Sequence, residues 1–187
     1  MSDLGPGGRA DDEKDRELIA RWREGDDRAA TELVQRHAQA LARFAVSSGA
    51  RSDEVDELVQ DTFVRAFNSL EGFRGDSSFR TWLFTIQRRL LVDRKRAERR
   101  RRDRDEVQEV DAATEYDALD TVVADETQRR LQDAVARLSP MQKEVFALRV
   151  SEGLSYKEIA EAVGTTEGAA RVHYHNAMRA VKEFLDE

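Results

Sequence analysis

Apolar residues recur at intervals of three and four along most of this chain, the spacing that gathers them on one face of an α-helix. Ala30, Leu33, Val34, Leu41, Phe44 and Ala45 form such a stripe within 27–47, and Gly49 closes the segment. A wider stripe follows: Val55, Leu58, Val59, Thr62, Phe63, Ala66, Phe67 and Leu70, with Ser52 as its expected N-cap. After a break at 72–76, Ser77 or Ser78 caps a further helix with Phe79, Trp82, Leu83, Ile86 and Leu90 on one face. A short helix from Glu13 to Glu24, stopped by Gly25, precedes these three. Together they predict one helical domain over 13–103, behind a loose, Gly-rich and acidic tail at 1–12 that is expected to be disordered.

Residues 104–126 hold few large apolar side chains and read as a linker. A second domain is expected over 127–187, opening with a helix near Thr127–Leu138. Ser139-Pro140-Met141-Gln142 is a helix start: Ser as N-cap, Pro in the first helical position, Gln closing a capping box. Ser155-Tyr156-Lys157-Glu158 is a second capping box, opening a short helix that ends at Gly164. A last helix runs from Thr166 to about Phe184. Ala, Leu, Glu, Arg and Gln dominate, and Pro6 and Pro140 are the only prolines. The fold class that follows is all-α: two small helical domains joined by a flexible acidic linker.

Two helices joined by a very short glycine turn make a helix-turn-helix, whose second helix enters the major groove of DNA. On that helix Ala170, Tyr174, Ala177, Met178, Val181 and Leu185 form the expected inward face. Arg171, His173 and Asn176 fall elsewhere, with Thr166 and Glu167 at the start. Arg and Asn are base-reading types, and a helix N-terminus favours a phosphate. An ordinary helical hairpin is the alternative. His173 and His175 stand two apart and so do not face one another, which makes them a poor metal pair. His37 lies on an apolar stripe, where a core or edge histidine is expected. With no cysteine in the chain, no thiolate metal site or disulfide is available, and no cofactor is expected.

The net charge of −7 argues against nucleic acid until its distribution is considered. Between Arg80 and Arg104 stand eleven Lys/Arg and three Asp/Glu; from Asp105 to Gln128 stand nine Asp/Glu and no Lys/Arg. Such segregation suits a basic nucleic-acid surface beside an acidic tether, against the plainer alternative of a solvated helix face. The basic run is preceded by a polar loop with aromatic neighbours, Phe73-Arg74-Gly75-Asp76-Ser77-Ser78-Phe79-Arg80. That combination suits single-stranded DNA, where cations track phosphates and rings or pockets hold unstacked bases. The rings of Phe79 and Trp82 are themselves expected in the core.

At this point the sequence resembles the ECF (extracytoplasmic function) sigma factors over about residues 14–185. The ELVQDTF segment is similar to region 2.2, which in that family docks on a coiled coil of the polymerase β′ subunit. The resemblance implies Asp56, Glu57, Gln60 and Asp61 as core-polymerase contacts. FRGDSSFRTWL resembles region 2.3 and its loop, which open the −10 element and capture a flipped base. RRLLVDRKR resembles region 2.4, which contacts the same element. Arg74, Asp76, Ser77, Ser78, Arg80, Arg88, Arg89, Arg94 and Lys95 are the −10 residues this implies. The final helix-turn-helix resembles region 4.2, which reads the −35 element, here through Thr166, Glu167, Arg171, His173 and Asn176. Region 4 of the family also meets the polymerase β flap. Many relatives carry Asn where Arg89 stands and basic residues at 173, 176 and 178, so weaker phosphate attraction is implied at the last helix.

The expected partners are core RNA polymerase, promoter DNA and an anti-sigma factor. A conventional helix-turn-helix regulator is the competing reading; it implies a symmetric dimer on a palindrome and leaves the arginine-rich helix without a use. A nucleic-acid enzyme would need clustered carboxylates, a nucleophile elbow or a phosphate loop, none of which the sequence offers. No apolar stretch is long enough to span a bilayer and the N-terminus lacks a signal-peptide core, so a cytoplasmic protein without membrane insertion is expected.

Overall fold

The computed structural model describes residues 6–103 and 126–186. Among them are eight α-helices, two 3-10 turns and no strand. Helices α1 (Pro6–Arg23), α2 (Asp27–Ser47), α3 (Val55–Asn68) and α4 (Phe79–Arg102) form the first group. Helices α5 (Glu126–Ala136), α6 (Pro140–Val150), α7 (Tyr156–Val163) and α8 (Glu167–Asp186) form the second. The proposed linker at 104–126 lies outside the described residues, apart from its last position, where α5 begins.

Local chemistry sets most helix starts. Asp26 caps α2 by accepting from the Arg28 amide, and Ser78 caps α4 by accepting from the Thr81 amide. Both capping boxes close, at Ser139/Gln142 and Ser155/Glu158. Gly164 ends α7 with φ +68°, a left-handed conformation that a Cβ disfavours. Thr166 Oγ1 accepts from the Ala169 amide at the head of α8.

Two starts differ from the sequence expectation. The first helix begins at Pro6 rather than Glu13. Its extra turns reach α2 at Asp11, which Arg36 binds at 3.0 Å, while Asp15, within the expected helix, binds the same arginine at 2.9 Å. Asp15 is also 2.8 Å from Nε2 of buried His37, so that histidine is a satisfied core residue. Residues 6–12 are helical, which corrects the disordered tail expected there. Ser52 does not cap α3; it opens a 3-10 turn, Ser52–Glu54, and the helix follows at Val55 without a side-chain cap.

The core is continuous between the two groups. Leu33, Leu41 and Phe44 of α2 join Phe63 and Ala66 of α3 and Leu83 and Phe84 of α4. The same cluster takes in Val145 and Leu148 of α6, Ile159 and Val163 of α7, and Ala170 of α8. Helix α4 lies against α7, and α2 against α6. A smaller cluster joins α5 to α8 through Ala134, Leu138, Ala177 and Val181. Met178, expected inside, is 40% exposed, because the turn from α7 rolls α8 onto Ala170, Ala177 and Val181.

Candidate nucleic-acid and polymerase interface

The loop after α3 runs through the 3-10 turn Leu70–Gly72 to the Ser78 cap. Gly75 takes φ +78°, and Arg74, Gly75 and Asp76 are exposed at its apex. Beneath the apex Phe73, Phe79 and Trp82 pack ring on ring, with Phe73 and Trp82 centroids 4.9 Å apart. Phe79 is buried and serves the core, while Trp82 is half-buried. Ser77 is half-buried beside Asp76. Ser78 is committed to capping: it accepts from the Thr81 amide at 3.1 Å and donates to Thr81 Oγ1 at 2.9 Å.

The α4 residues expected at the −10 element divide into three sets. Arg89 is exposed and lines a groove with Trp82, Ile86, Asp93 and Arg65 of α3. Arg94 turns to α3, donating to Asp61 at 2.6 Å and lying 3.3 Å from Glu57, while Lys95 donates to the Ser48 carbonyl at 2.6 Å. Two residues expected at polymerase thus hold one expected at DNA. Arg80 and Arg88 form the third set and point at the second group of helices: Arg80 donates to Glu152, and Arg88 to Glu144 at 2.8 Å. Sequence reasoning missed these partners, since both glutamates lie more than fifty positions further along the chain.

On α3, Asp56, Glu57 and Gln60 are exposed and Asp61 is half-buried, beside a buried face of Val55, Leu58, Thr62 and Phe63. An acidic and polar edge therefore stands over an apolar stripe.

On α8 the exposed residues at the start are Glu167, Gly168, Arg171 and Val172, with Thr166 exposed just before them. Arg171 is 3.1 Å from Glu167, and its guanidinium carbon is 4.5 Å from the centre of the Tyr156 ring, which it shares with Arg149. The exposed stripe continues through His175 and Arg179, whereas His173 and Asn176 are half-buried on its flank. The i, i+4 spacing of 171, 175 and 179 was a signal available in the sequence for the last two. If α8 lies in a major groove, Arg171→Ala and His175→Ala change −35 preference by about 1–3 kcal/mol per base contact. Binding measured on a set of singly substituted −35 duplexes checks this. A uniform loss over all sequences would reassign either residue to phosphate.

The hydrogen bonds that Arg43 donates to Glu152 hold its guanidinium above its ordinary value. Burial, followed by Glu158 and Asp15, pushes the Asp12 carboxyl up. Among the described residues no group of His, Asp and Glu is arranged to hold a metal, and no helix is long and apolar enough to cross a membrane.

The protein has two parts: a helical unit with a polar loop and a basic helix, and a helix-turn-helix unit. Residues 33–101 match the family model for sigma-70 region 2, and residues 128–181 that for sigma-70, region 4. The RNA polymerase sigma factor NccH of Alcaligenes xylosoxydans is 31% identical over 83% of this chain and 86% of its own. The ECF RNA polymerase sigma-E factor of Haemophilus influenzae is 29% identical over 90% and 93%. Among solved structures, CnrH in complex with the cytosolic domain of CnrY covers 92% of this chain and 97% of its own, at 31% identity and TM-score 0.66. The sigma factor RpoE of Bartonella quintana, in complex with the anti-sigma factor NepR, has the same TM-score at 26% identity, covering 83% and 96%. This chain belongs to the sigma-70 family, as a sigma factor of the ECF type. Its function is promoter recognition in transcription initiation, in a family of non-enzymatic transcription factors.

Proposed function

We propose that the chain acts in the cytoplasm and without catalysis, binding core RNA polymerase and then opening and holding the −10 element. The α3 edge of Asp56, Glu57, Gln60 and Asp61 docks on the β′ coiled coil, and the second group of helices meets the β flap. Arg74, Asp76 and Ser77 take a flipped base of the −10 non-template strand, and Arg80, Arg88, Arg89, Arg94 and Lys95 track its backbone. Thr166, Glu167, Arg171, His173 and Asn176 meet the −35 element, with His175 and Arg179 added from the exposed stripe of α8. An anti-sigma factor is the expected regulator, as the Bartonella RpoE is found with the anti-sigma factor NepR.

The observation that carries the reading is α4 itself. One helix of 24 residues runs from the capped polar loop to four consecutive arginines, Arg99–Arg102, all exposed. A loop that receives a base and a basic rail for the phosphates beyond it are thus set on one rigid element.

The polymerase contact is tested by Asp56→Lys together with Gln60→Lys, which leaves the Arg94 pairs to Glu57 and Asp61 in place. Affinity for core polymerase is expected to fall about tenfold or more, the cost of placing like charges or unmatched charges at a complementary interface. Helicity is expected to stay unchanged. Unaltered affinity for core would remove α3 from the interface.

A further inference from the structure

Val172 on α8 is 57% exposed, the most open of the large apolar side chains among the described residues. It belongs to none of the apolar clusters that hold the helices together. The fold makes no use of its isopropyl group, yet it stands in the early turns of the helix that meets base edges in a helix-turn-helix. A β-branched side chain on a helix keeps essentially one rotamer, so its two methyl groups hold a fixed position and lose little freedom on contact. A helical side chain covers the turn before its own Cα. For Val172 that turn carries Gly168, which is exposed and where an added Cβ meets nothing within 4 Å. The valine is therefore open on the side that faces the helix start. The two long polar neighbours are drawn aside: Arg171 lies 3.1 Å from Glu167 and over the Tyr156 ring.

The chemistry of the groove says what such a group can read. In the major groove thymine presents an O4 acceptor and a C5 methyl, whereas cytosine presents an N4 donor and a bare C5–H edge. An isopropyl group neither donates nor accepts a hydrogen bond, so it is blind to the difference between O4 and N4. It responds only to the presence of the methyl, through apolar surface removed from water. A cytosine that carries a C5 methyl offers the same surface on the other base.

We infer that Val172 reads the C5 methyl of one pyrimidine in the −35 element, so that 5-methylcytosine at that position substitutes for thymine where cytosine does not. The inference rests on the −35 reading of α8 given above and names the group that this part of the helix recognises. The burial of one methyl group corresponds to about fourfold in affinity. Promoter strength thereby becomes sensitive to the methylation state of a cytosine, with no change in base sequence.

Promoters mapped by run-off transcription supply the DNA for the test. Binding of the holoenzyme is measured on duplexes in which each −35 pyrimidine in turn is thymine or deoxyuridine, and cytosine or 5-methylcytosine, so that each pair differs by one methyl group alone. One position is expected to respond. There deoxyuridine binds about fourfold more weakly than thymine, and 5-methylcytosine about fourfold more tightly than cytosine. In Val172→Ser both differences are expected to vanish; in Val172→Ile, which keeps an apolar β-branched group, both persist. The side chain is exposed, so helicity and affinity for core polymerase are expected to match wild type in both variants. Equal binding of thymine and deoxyuridine at every −35 position overturns the inference. A methyl effect that survives in Val172→Ser also overturns it, because another side chain is then the reader. So does a loss with deoxyuridine that has no matching gain with 5-methylcytosine, since the contact then depends on more than the methyl. These three results leave the mapped starts in place, whereas an absence of protein-dependent starts defeats the sigma-factor reading and the inference together.

Discussion

Phe84→Ala lowers the unfolding free energy by about 3–5 kcal/mol, the range for a phenylalanine deleted from a packed core. Phe84 is fully buried on α4, its ring edge-on to Phe44 of α2 with centroids 5.2 Å apart. It belongs to the cluster that runs on into Val145, Leu148 and Ile159, so a cavity there weakens the first group and its seat for the second together. Against a total of about 5–15 kcal/mol for a domain, the loss is a large fraction. Urea denaturation followed by circular dichroism is the check. The midpoint is expected to fall steeply, whereas Val64→Ala, at an exposed site on α3, stays within about 0.5 kcal/mol of wild type. A loss for Phe84→Ala below about 1 kcal/mol would contradict the packing described, since core truncations of this size cost several times more.

Asp76→Ala with Ser77→Ala slows open-complex formation by about 10–100-fold while closed-complex binding changes little. Extruding a base costs a few kcal/mol, and a pocket that returns about half of that by hydrogen bonding governs the rate by this factor. Asp76 stands exposed at the loop apex after Gly75, with Ser77 beside it. Ser78 stays unaltered because it caps α4, and removing that cap would add about 1 kcal/mol of instability to the readout. Permanganate reactivity of the melted bubble is the measurement. Wild-type footprints and rates in the double variant would remove the loop from base capture.

What the sequence made legible was whatever a few neighbouring residues decide. Ser139 and Gln142, Ser155 and Glu158, and Gly164 specify their ends within four positions, and each end is formed as read. The apolar stripes of α2, α3 and α4 give the first core directly, because period and burial are the same information on a helix. The start of α1 was not legible: Asp11 reads as part of a solvated tail until Arg36, more than twenty positions away, is folded against it. Charge had the same limit at the site. A run of arginines states that a cationic surface exists but not what each cation faces. Arg89 remains exposed, Arg94 is drawn to Asp61, and Arg80 and Arg88 meet glutamates from the other end of the chain. At α8 the exposed stripe runs through Arg171, His175 and Arg179, with His173 and Asn176 half-buried on its flank, a difference of exposure that residue type alone does not reveal.

Two DNA-reading units on one chain are expected to make polymerase specific for a promoter with two elements. The most direct measurement is run-off transcription by purified core polymerase with and without this protein, on genomic fragments, with start sites mapped. Discrete starts are expected to appear only when the protein is present. Each start should be preceded by a −10 and a −35 element whose alteration abolishes it, and protein and core should migrate as a one-to-one complex. Binding to a palindromic site as a symmetric dimer, with no complex with core polymerase and no new start sites, would contradict it.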